Sequence, residues 1–191
     1  MKRFTYLFLF IFCFCGCAQL GYIKDPFVDI PNFYQVDQRI WRGGQPNQAG
    51  FEQLKARGIK TVLSLRGQGE QTEEEKALLE SLGMHFYNLP MSVYQRPDDQ
   101  LILDFLKLVM TKENQPVFIH CVSGRDRTGA LIAVYRVLIY DWQPKQAYNE
   151  AKKYGFWPYR GEAQLQRLIL QIKDKPEWYA YAKKLRDEEN N

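Results

Sequence analysis

A nucleophile and an anion-binding side chain lie close together in residues 120–129, which read His-Cys-Val-Ser-Gly-Arg-Asp-Arg-Thr-Gly. A short apolar run precedes this segment and a long one, residues 130–140, follows it, which predicts a strand, a tight loop and a helix N-terminus. Backbone N–H groups at such a helix start attract an anion. A cysteine there ionises more readily than a free thiol, and an arginine binds two phosphate oxygens at once. Cys121 and Arg127 therefore predict a phosphate-binding loop that carries a thiol nucleophile.

The rest of the chain alternates between strand and helix patterns, which must position this loop. Asn47 is a predicted helix cap, Thr72-Glu73-Glu74-Glu75 reads as a capping box, and Asp98 or Asp99 caps a third helix. Strands spaced by helices predict an α/β fold with a mostly parallel central sheet of about four to five strands, flanked by helices. The predicted strands are 39–42, 59–65, 85–89 and 117–119, and the predicted helices are 47–57, 72–83, 98–111, 130–140, 145–154, 162–172 and 177–186.

The first 17 residues predict export rather than a membrane span. Met1-Lys2-Arg3 is positively charged, residues 4–14 are apolar, and small residues follow. This apolar stretch is shorter than the roughly 20 residues of a bilayer span. It resembles a bacterial lipoprotein signal in which Cys17 would carry the lipid; plain secretion and an uncleaved anchor are the alternatives. We expect a signal peptide at 1–17, a tether at 18–34, a catalytic domain at 35–187, and a periplasmic or membrane-anchored location.

Composition and cysteine count narrow the function further. The 191 residues suffice for one domain, and the net charge of +4, without a lysine or arginine run, argues against nucleic-acid binding. Three of the four cysteines lie in the leader, so Cys121 has no disulfide partner within the predicted domain. The two histidines, His85 and His120, lie in different segments, and we expect neither a metal nor another cofactor.

The pattern His-Cys-x5-Arg-Thr-Gly resembles the signature of cysteine-dependent protein tyrosine and dual-specificity phosphatases. Residues 41–46, Trp-Arg-Gly-Gly-Gln-Pro, and residues 58–66 resemble the opening segments of a bacterial and fungal branch of that family. The resemblance extends over about residues 38–140. It implies hydrolysis of phosphate monoesters through a phosphocysteine intermediate, with phosphorylated proteins as the first expected substrates.

The resemblance also implies a role for each residue of the loop. Cys121 would attack phosphorus as a thiolate, and Arg127 would bind two phosphoryl oxygens. His120 would order the loop backbone, and Thr128 would hydrogen-bond the sulfur. Gly124 permits the backbone turn that such a loop needs. The implied substrate-binding residues are Val122, Ser123, Gly124, Arg125 and Thr128.

The general acid, an aspartate in this family, is harder to identify. In most members it follows the strand before the signature, but residues 90–97 here contain no acidic residue. Asp126 lies inside the loop itself, as does the proposed acid of myotubularins and some secreted bacterial phosphatases, and it is our first candidate. Asp98 or Asp99 is the alternative, although an aspartate at a helix start usually acts as an N-cap.

Other functions and several cleft residues stay open at this point. An inositol phosphate or phosphoinositide phosphatase is the nearest alternative, and a catalytically silent phospho-ligand binding module on the same fold is another. A sulfur-transfer or arsenate-reducing enzyme fits the Thr128-Gly129 pair less well.

Arg42 and Arg66, at strand ends, either orient substrate or brace loops. Further side chains expected to shape the cleft are Tyr94, Arg96, Arg125, Tyr159 and Arg160.

Overall fold

A computed structural model describes residues 29–157 and 163–189. The predicted signal peptide, most of the tether, Tyr159 and Arg160 lie outside these residues. The sheet has five strands in the order β1-β2-β5-β3-β4, and every neighbouring pair is parallel except β1–β2. This confirms the predicted fold class. The strands are β1 Tyr34–Gln35, β2 Ile40–Gly43, β3 Thr61–Ser64, β4 His85–Asn88 and β5 Val117–His120.

Helices cover both faces of this sheet. One face carries α1 and α2 over a core that includes Phe51, Val62, Leu79 and Phe118. The other face is the larger core and holds the remaining helices, with α4 buried nearly all round, as its apolar sequence predicts. The helices are α1 Gln48–Ala56, α2 Glu70–Ser81, α3 Asp99–Met110, α4 Asp126–Tyr140, α5 Pro144–Lys153, α6 Ala163–Leu170 and α7 Pro176–Glu189.

Two of the three predicted helix caps are present. Asn47 accepts a hydrogen bond from Gly50 N at 2.8 Å, and Asp98, rather than Asp99, caps α3 by accepting from Leu101 N at 2.8 Å. The capping box at Thr72 is wrong, because α2 begins two residues earlier with Gly69 at its N-cap. The Thr72 hydroxyl donates instead to Gly67 O at 2.7 Å, which anchors the first turn of the helix to the preceding loop.

The expected tether also differs from the structure at its end. Ile30 is buried against the core of the α1 face, and Pro31 O accepts a hydrogen bond from Gly44 N at 2.6 Å. Tyr34 pairs with Arg42 in the antiparallel edge of the sheet. Residues 29–34 therefore pack with the domain, since their apolar and backbone groups complete the edge of the sheet.

A polar cluster fixes the start of β2 against α4. The hydroxyls of Tyr135 and Tyr140 both donate to Asp37 Oδ2, at 2.8 and 2.9 Å. Burial, together with the neighbouring Asp37 carboxylate, raises the pKa of Tyr135 well above its ordinary value. Arg39 pairs with Glu189 at 2.8 Å, which ties the end of α7 to the same edge. The cluster holds the C-terminal helix on the sheet.

Within the described ranges, no helix is long and apolar enough to cross a membrane. The carboxyl ends of β2, β3 and β5 meet at one edge of the sheet, because these strands are adjacent and parallel. The loops that follow them lie side by side there, which is where open α/β sheets bind ligands.

Candidate active site

The loop of residues 121–125 connects β5, the central strand, to the N-terminus of α4. Cys121 directly follows the strand and is 2% exposed, whereas Val122 is 58% exposed at the loop surface. The strand, loop and helix start predicted from the sequence are thus confirmed. The first amides of α4 have no intrahelical acceptor, so they are free to bind an anion above the thiol. We call residues 121–127 the phosphate loop.

Gly124 brings the phosphate loop into direct contact with the end of β2. Its φ angle is +67°, a left-handed conformation that side chains disfavour. A Cβ atom built on Gly124 would lie 2.3 Å from Gly43 C and 2.4 Å from Gly44 N. Both are backbone atoms that cannot move aside. Glycine is therefore required at this position by space as well as by conformation.

The carbonyl groups of the phosphate loop are bound from outside it. Val122 O accepts from Gln45 N at 3.1 Å, and Gly124 O accepts from Arg42 Nη2 at 2.5 Å and from Asn32 Nδ2 at 2.9 Å. These bonds hold the carbonyl oxygens toward the protein. An anion entering the loop thus meets amide groups rather than oxygen atoms of these two peptides.

His120 and Glu75 form a buried pair beneath the loop. His120 Nε2 lies 2.7 Å from Glu75 Oε1, and its Nδ1 lies 3.3 Å from Cys121 O. The imidazole is fully buried and stacks on Phe118 with 5.7 Å between ring centroids. Gln45 Nε2 donates to the second Glu75 oxygen at 3.2 Å. These contacts fit the predicted loop-ordering role of His120.

Glu75 was missed as a site residue because the capping-box pattern explained it locally. A signal for it was present, since Thr72, Glu75 and Leu79 share the buried side of α2. An acidic residue at the spacing of a buried helical stripe needs a polar partner, because an unpaired buried charge is costly. Only the tertiary structure shows that this partner is His120.

Arg127 extends from the first turn of α4 toward the end of β3. Its Nη1 donates to Leu65 O at 3.0 Å and to Met91 O at 3.4 Å, and its Nε has no partner among the described residues. Together with Val122 and residues 66–72 it lines an open cavity of about 380 Å³. The guanidinium is thus positioned by backbone carbonyls beside a space large enough for a phosphorylated group.

The two strand-end arginines take different places. Arg66 lines the cavity, donating to Gln45 Oε1 at 2.6 Å and to Gln71 Oε1. Arg42 is 1% exposed and lies under the phosphate loop, where it braces Gly124. Of the two alternatives from the sequence, the bracing one applies to Arg42, and a contact with substrate is open only to Arg66.

Each candidate acid has a partner in the structure. Asp98 caps α3, and Asp99 Oδ2 accepts from Lys175 Nζ at 2.7 Å. Asp126 lies in the first turn of α4, where its Oδ1 accepts from Trp157 N at 2.9 Å. Of the three, only Asp126 belongs to the segment that also holds Cys121 and Arg127.

Other predicted site residues are placed less directly. The Thr128 hydroxyl is buried but has no hydrogen-bond partner in the described part of the chain, so the expected bond to the Cys121 sulfur is not formed.

Arg96 lies over the ring of Trp178, 5.9 Å from its centroid, and therefore turns toward α7. Tyr94 is 69% exposed on the loop before α3, and Arg125 is exposed beside Gly155. Residues 29–157 and 163–189 contain no cluster of three metal-binding side chains.

A mostly parallel sheet that delivers a buried cysteine and an arginine to one helix start, with five residues between them, is the arrangement of the cysteine-dependent phosphatases. Comparison with known proteins gives the family. A family model described as "DSP-PTPase phosphatase fused to NAD+ Kinase" matches residues 27–165, and the chain belongs to this dual-specificity phosphatase family.

Two curated relatives illustrate the range of the family. The dual specificity protein phosphatase TpbA of Pseudomonas aeruginosa is 29% identical over 133 residues, covering 69% of this chain and 57% of the relative. The inositol diphosphatase SIW14 of Saccharomyces cerevisiae is 30% identical over 139 residues, covering 70% of this chain and 49% of the relative. The chain thus spans about half the length of the curated relatives it matches.

Solved structures agree with this assignment. The core catalytic domain of the PP-IP phosphatase SIW14, in complex with citrate, superposes with a TM-score of 0.64 at 29% identity, over 79% of this chain and 96% of that one. The crystal structure of P. aeruginosa TpbA gives a TM-score of 0.67 at 24% identity, over 80% of this chain and 91% of that one, which supports the fold.

Proposed function

We propose that the protein hydrolyses phosphate monoesters through a phosphocysteine intermediate, acting as a protein tyrosine or dual-specificity phosphatase. The observation that carries this proposal is the position of Cys121, buried in the phosphate loop between the end of β5 and the N-terminus of α4. Arg127, in the first turn of the same helix, is held in place by two backbone carbonyls. Membership of the dual-specificity phosphatase family supports the same chemistry.

The reaction proceeds in two steps: a P–S bond forms in the first and breaks in the second. In the first, the Cys121 thiolate attacks phosphorus, so that a P–S bond forms while the bond to the leaving oxygen breaks. Arg127 and the loop amides bind the equatorial oxygens, where charge develops in the transition state. In the second step water attacks phosphorus, the P–S bond breaks, and inorganic phosphate leaves as the thiolate is restored.

Asp126 donates the proton to the leaving oxygen in this proposal, and later accepts one from the attacking water. Asp126 lies in the same segment as Cys121 and Arg127, whereas Asp98 caps α3 and Asp99 pairs with Lys175 outside that segment, so the loop aspartate is the better placed carboxyl group. The test compares pH–rate profiles of Asp126→Asn, Asp98→Asn and Asp99→Asn. Loss of rate with an aryl or alkyl ester in Asp126→Asn alone supports the assignment, and an unchanged Asp126→Asn rate refutes it.

Nucleophilic catalysis itself is tested with p-nitrophenyl phosphate and the full chain. Cys121→Ser should abolish turnover, because a serine hydroxyl in this loop is not ionised near neutral pH. Arg127→Lys should lose about 100-fold or more in kcat, since lysine cannot bind two oxygens. Arg57→Lys, an exposed arginine on the far end of α1, is the matched control. A Cys121→Ser protein that still hydrolyses the ester would exclude the proposed mechanism.

An inositol phosphate substrate is the second candidate, favoured by the cavity beside Arg127. Its lining includes Arg66 as well as Arg127, and two guanidinium groups suit a compact substrate with several phosphate groups. SIW14, an inositol diphosphatase, supports the same possibility. A panel of phosphotyrosine peptide, phosphoserine peptide and inositol pyrophosphate separates the two candidates. Arg66→Ala should impair the inositol substrate selectively if that candidate is right.

We further propose that the protein is exported and attached to a membrane through lipid on Cys17. The support is the sequence of the leader, with its charged start, apolar stretch of residues 4–14 and small residues around Cys17. Fractionation of cells with and without Cys17→Ser, together with labelling by a radioactive fatty acid, tests it. A wild-type protein that stays unlabelled and in the soluble fraction contradicts the lipid attachment.

A further inference from the structure

Arg42 is a buried cation that forms no ion pair with the described residues. The side chain is 1% exposed, and its only hydrogen bond among the described residues runs from Nη2 to Gly124 O at 2.5 Å. Its Nε and Nη1 are buried without partners in the same part of the chain. The guanidinium instead lies over the ring of Tyr154, 4.5 Å from its centroid. Burying a charge without an ion pair costs free energy, so we expect this guanidinium to have a function that offsets the cost.

Comparison with Arg136 shows how unusual this is within the molecule. Arg136 also stacks on an aromatic ring, 4.7 Å from the centroid of Trp142, but it pairs with Glu150 at 3.0 Å. Burial lowers the pKa of Arg42 to about 10, while nearby groups that can carry negative charge, Tyr154 and Cys121 first among them, act in the opposite direction. The guanidinium is therefore still charged near neutral pH.

The contacts of Arg42 connect this charge to the phosphate loop. Gly124 O accepts from Arg42 and from Asn32 Nδ2, and the same Asn32 amide donates to Tyr154 O at 3.0 Å. The Gly124 peptide is thus polarised by a cation on its carbonyl side, which strengthens the N–H groups on the other side as donors. No carboxylate hydrogen-bonds Arg42 in the described residues, and Glu150, whose charge also acts on it, is paired with Arg136. The field of the Arg42 guanidinium therefore acts mainly on whatever anion occupies the loop.

We propose that Arg42 is a positioning residue whose buried charge, acting through the Gly124 peptide, strengthens the binding of an oxyanion in the phosphate loop. The negative charges that this guanidinium faces in the loop are the Cys121 thiolate of the free enzyme and the oxyanion bound above it. This rests on the proposed function, because it assumes that the loop binds a phosphoryl group. It also explains why the fold keeps an unpaired charge in its interior, where an apolar side chain would cost less.

Orthovanadate inhibition of p-nitrophenyl phosphate hydrolysis tests the proposal. Arg42→Gln keeps a donor for Gly124 O but removes the charge, and we expect the vanadate inhibition constant to rise by about tenfold to 100-fold. Arg42→Lys restores the charge and should recover at least part of the affinity. Arg57→Gln, which removes an exposed arginine stacked on Phe33, is the matched control and should leave the constant unchanged. Thermal denaturation of each variant reports folding separately.

An inhibition constant that is unchanged in folded Arg42→Gln, or equal in the Gln and Lys variants, overturns the proposal. If Arg42→Gln does not fold, Asn32→Asp and Asn32→Ala decide the question. Both remove the Asn32 hydrogen bonds, but only the aspartate places a compensating negative charge near Arg42, so its vanadate affinity should be the weaker. Equal affinities refute the charge effect. A wild-type protein that is inactive toward the ester, or active without Cys121, would instead refute the proposed function.

Discussion

Substituting Gly124 by alanine should damage both the fold and the phosphate loop. The added Cβ would lie 2.3 Å from Gly43 C, about 1 Å inside ordinary contact, against backbone on one side and the loop on the other. The left-handed φ of +67° costs alanine about 1–2 kcal/mol, and the overlap adds about 1–3 kcal/mol. We expect Gly124→Ala to lower the free energy of unfolding by about 2–5 kcal/mol.

Gly58→Ala is the matched control for this substitution. Gly58 also has a positive φ, +79°, but a Cβ there meets no atom within 4 Å. Its substitution should cost only the conformational part, about 1–2 kcal/mol. The difference between the two variants therefore isolates the close contact between the phosphate loop and the end of β2.

Urea denaturation followed by circular dichroism measures both free energies, and hydrolysis of p-nitrophenyl phosphate measures the effect on the loop. A shift of about 1 Å in the loop should reduce kcat/KM by about 100-fold in Gly124→Ala. Gly58→Ala should keep the wild-type kcat/KM. Equal stability losses in the two variants, or a Gly124→Ala protein with normal turnover, would refute the reasoning.

Three further substitutions test other parts of the structure. Glu75→Ala leaves His120 without its buried partner and should lower the free energy of unfolding by about 3–5 kcal/mol in urea denaturation, whereas a loss below 1 kcal/mol would contradict the pairing. Burial and Asp37 raise the pKa of Tyr135, so the folded state holds a proton that the unfolded chain releases near pH 10. The free energy of unfolding should thus fall above about pH 10, and less steeply in Tyr135→Phe, as measured by urea denaturation at pH 8 and 11. Asp98→Ala should cost about 1 kcal/mol by loss of the α3 cap, whereas Asp98→Asn should be neutral in thermal denaturation.

The sequence predicts best those features that depend on short-range chemistry. The strand, loop and helix start around Cys121 are recognisable because apolar runs bracket a glycine-containing turn. The Asn47 cap is likewise local, since its side chain bonds an amide three residues away. Thr72 shows the limit of such patterns, because its neighbourhood matches a capping box although Gly69 is the N-cap of the helix. Glu75 is buried and contacts His120 instead of capping the helix.

The features that the sequence does not predict depend on contacts between distant segments of the chain. Asn32 and Arg42 meet Gly124 across separations of 92 and 82 residues, and no spacing rule reveals such bonds. Residues 29–34 carry no strand period, yet Ile30 is buried because it packs in the core of the α1 face with Phe51 and Phe118. The choice between Asp98 and Asp126 as general acid is of the same kind, because the sequence does not show what surrounds either carboxyl group.

The position of β5 governs when this protein can fold during its synthesis. β5 pairs with β2 on one side and with β3 on the other, while β2 and β3 make no ladder with each other. A nascent chain that ends before Val117 therefore has two separate strand groups and no continuous sheet to organise its helices. Cys121 leaves the ribosome directly after the strand that joins them. Cys121 thus emerges only with the completion of the sheet, so incomplete chains cannot present an assembled phosphate loop.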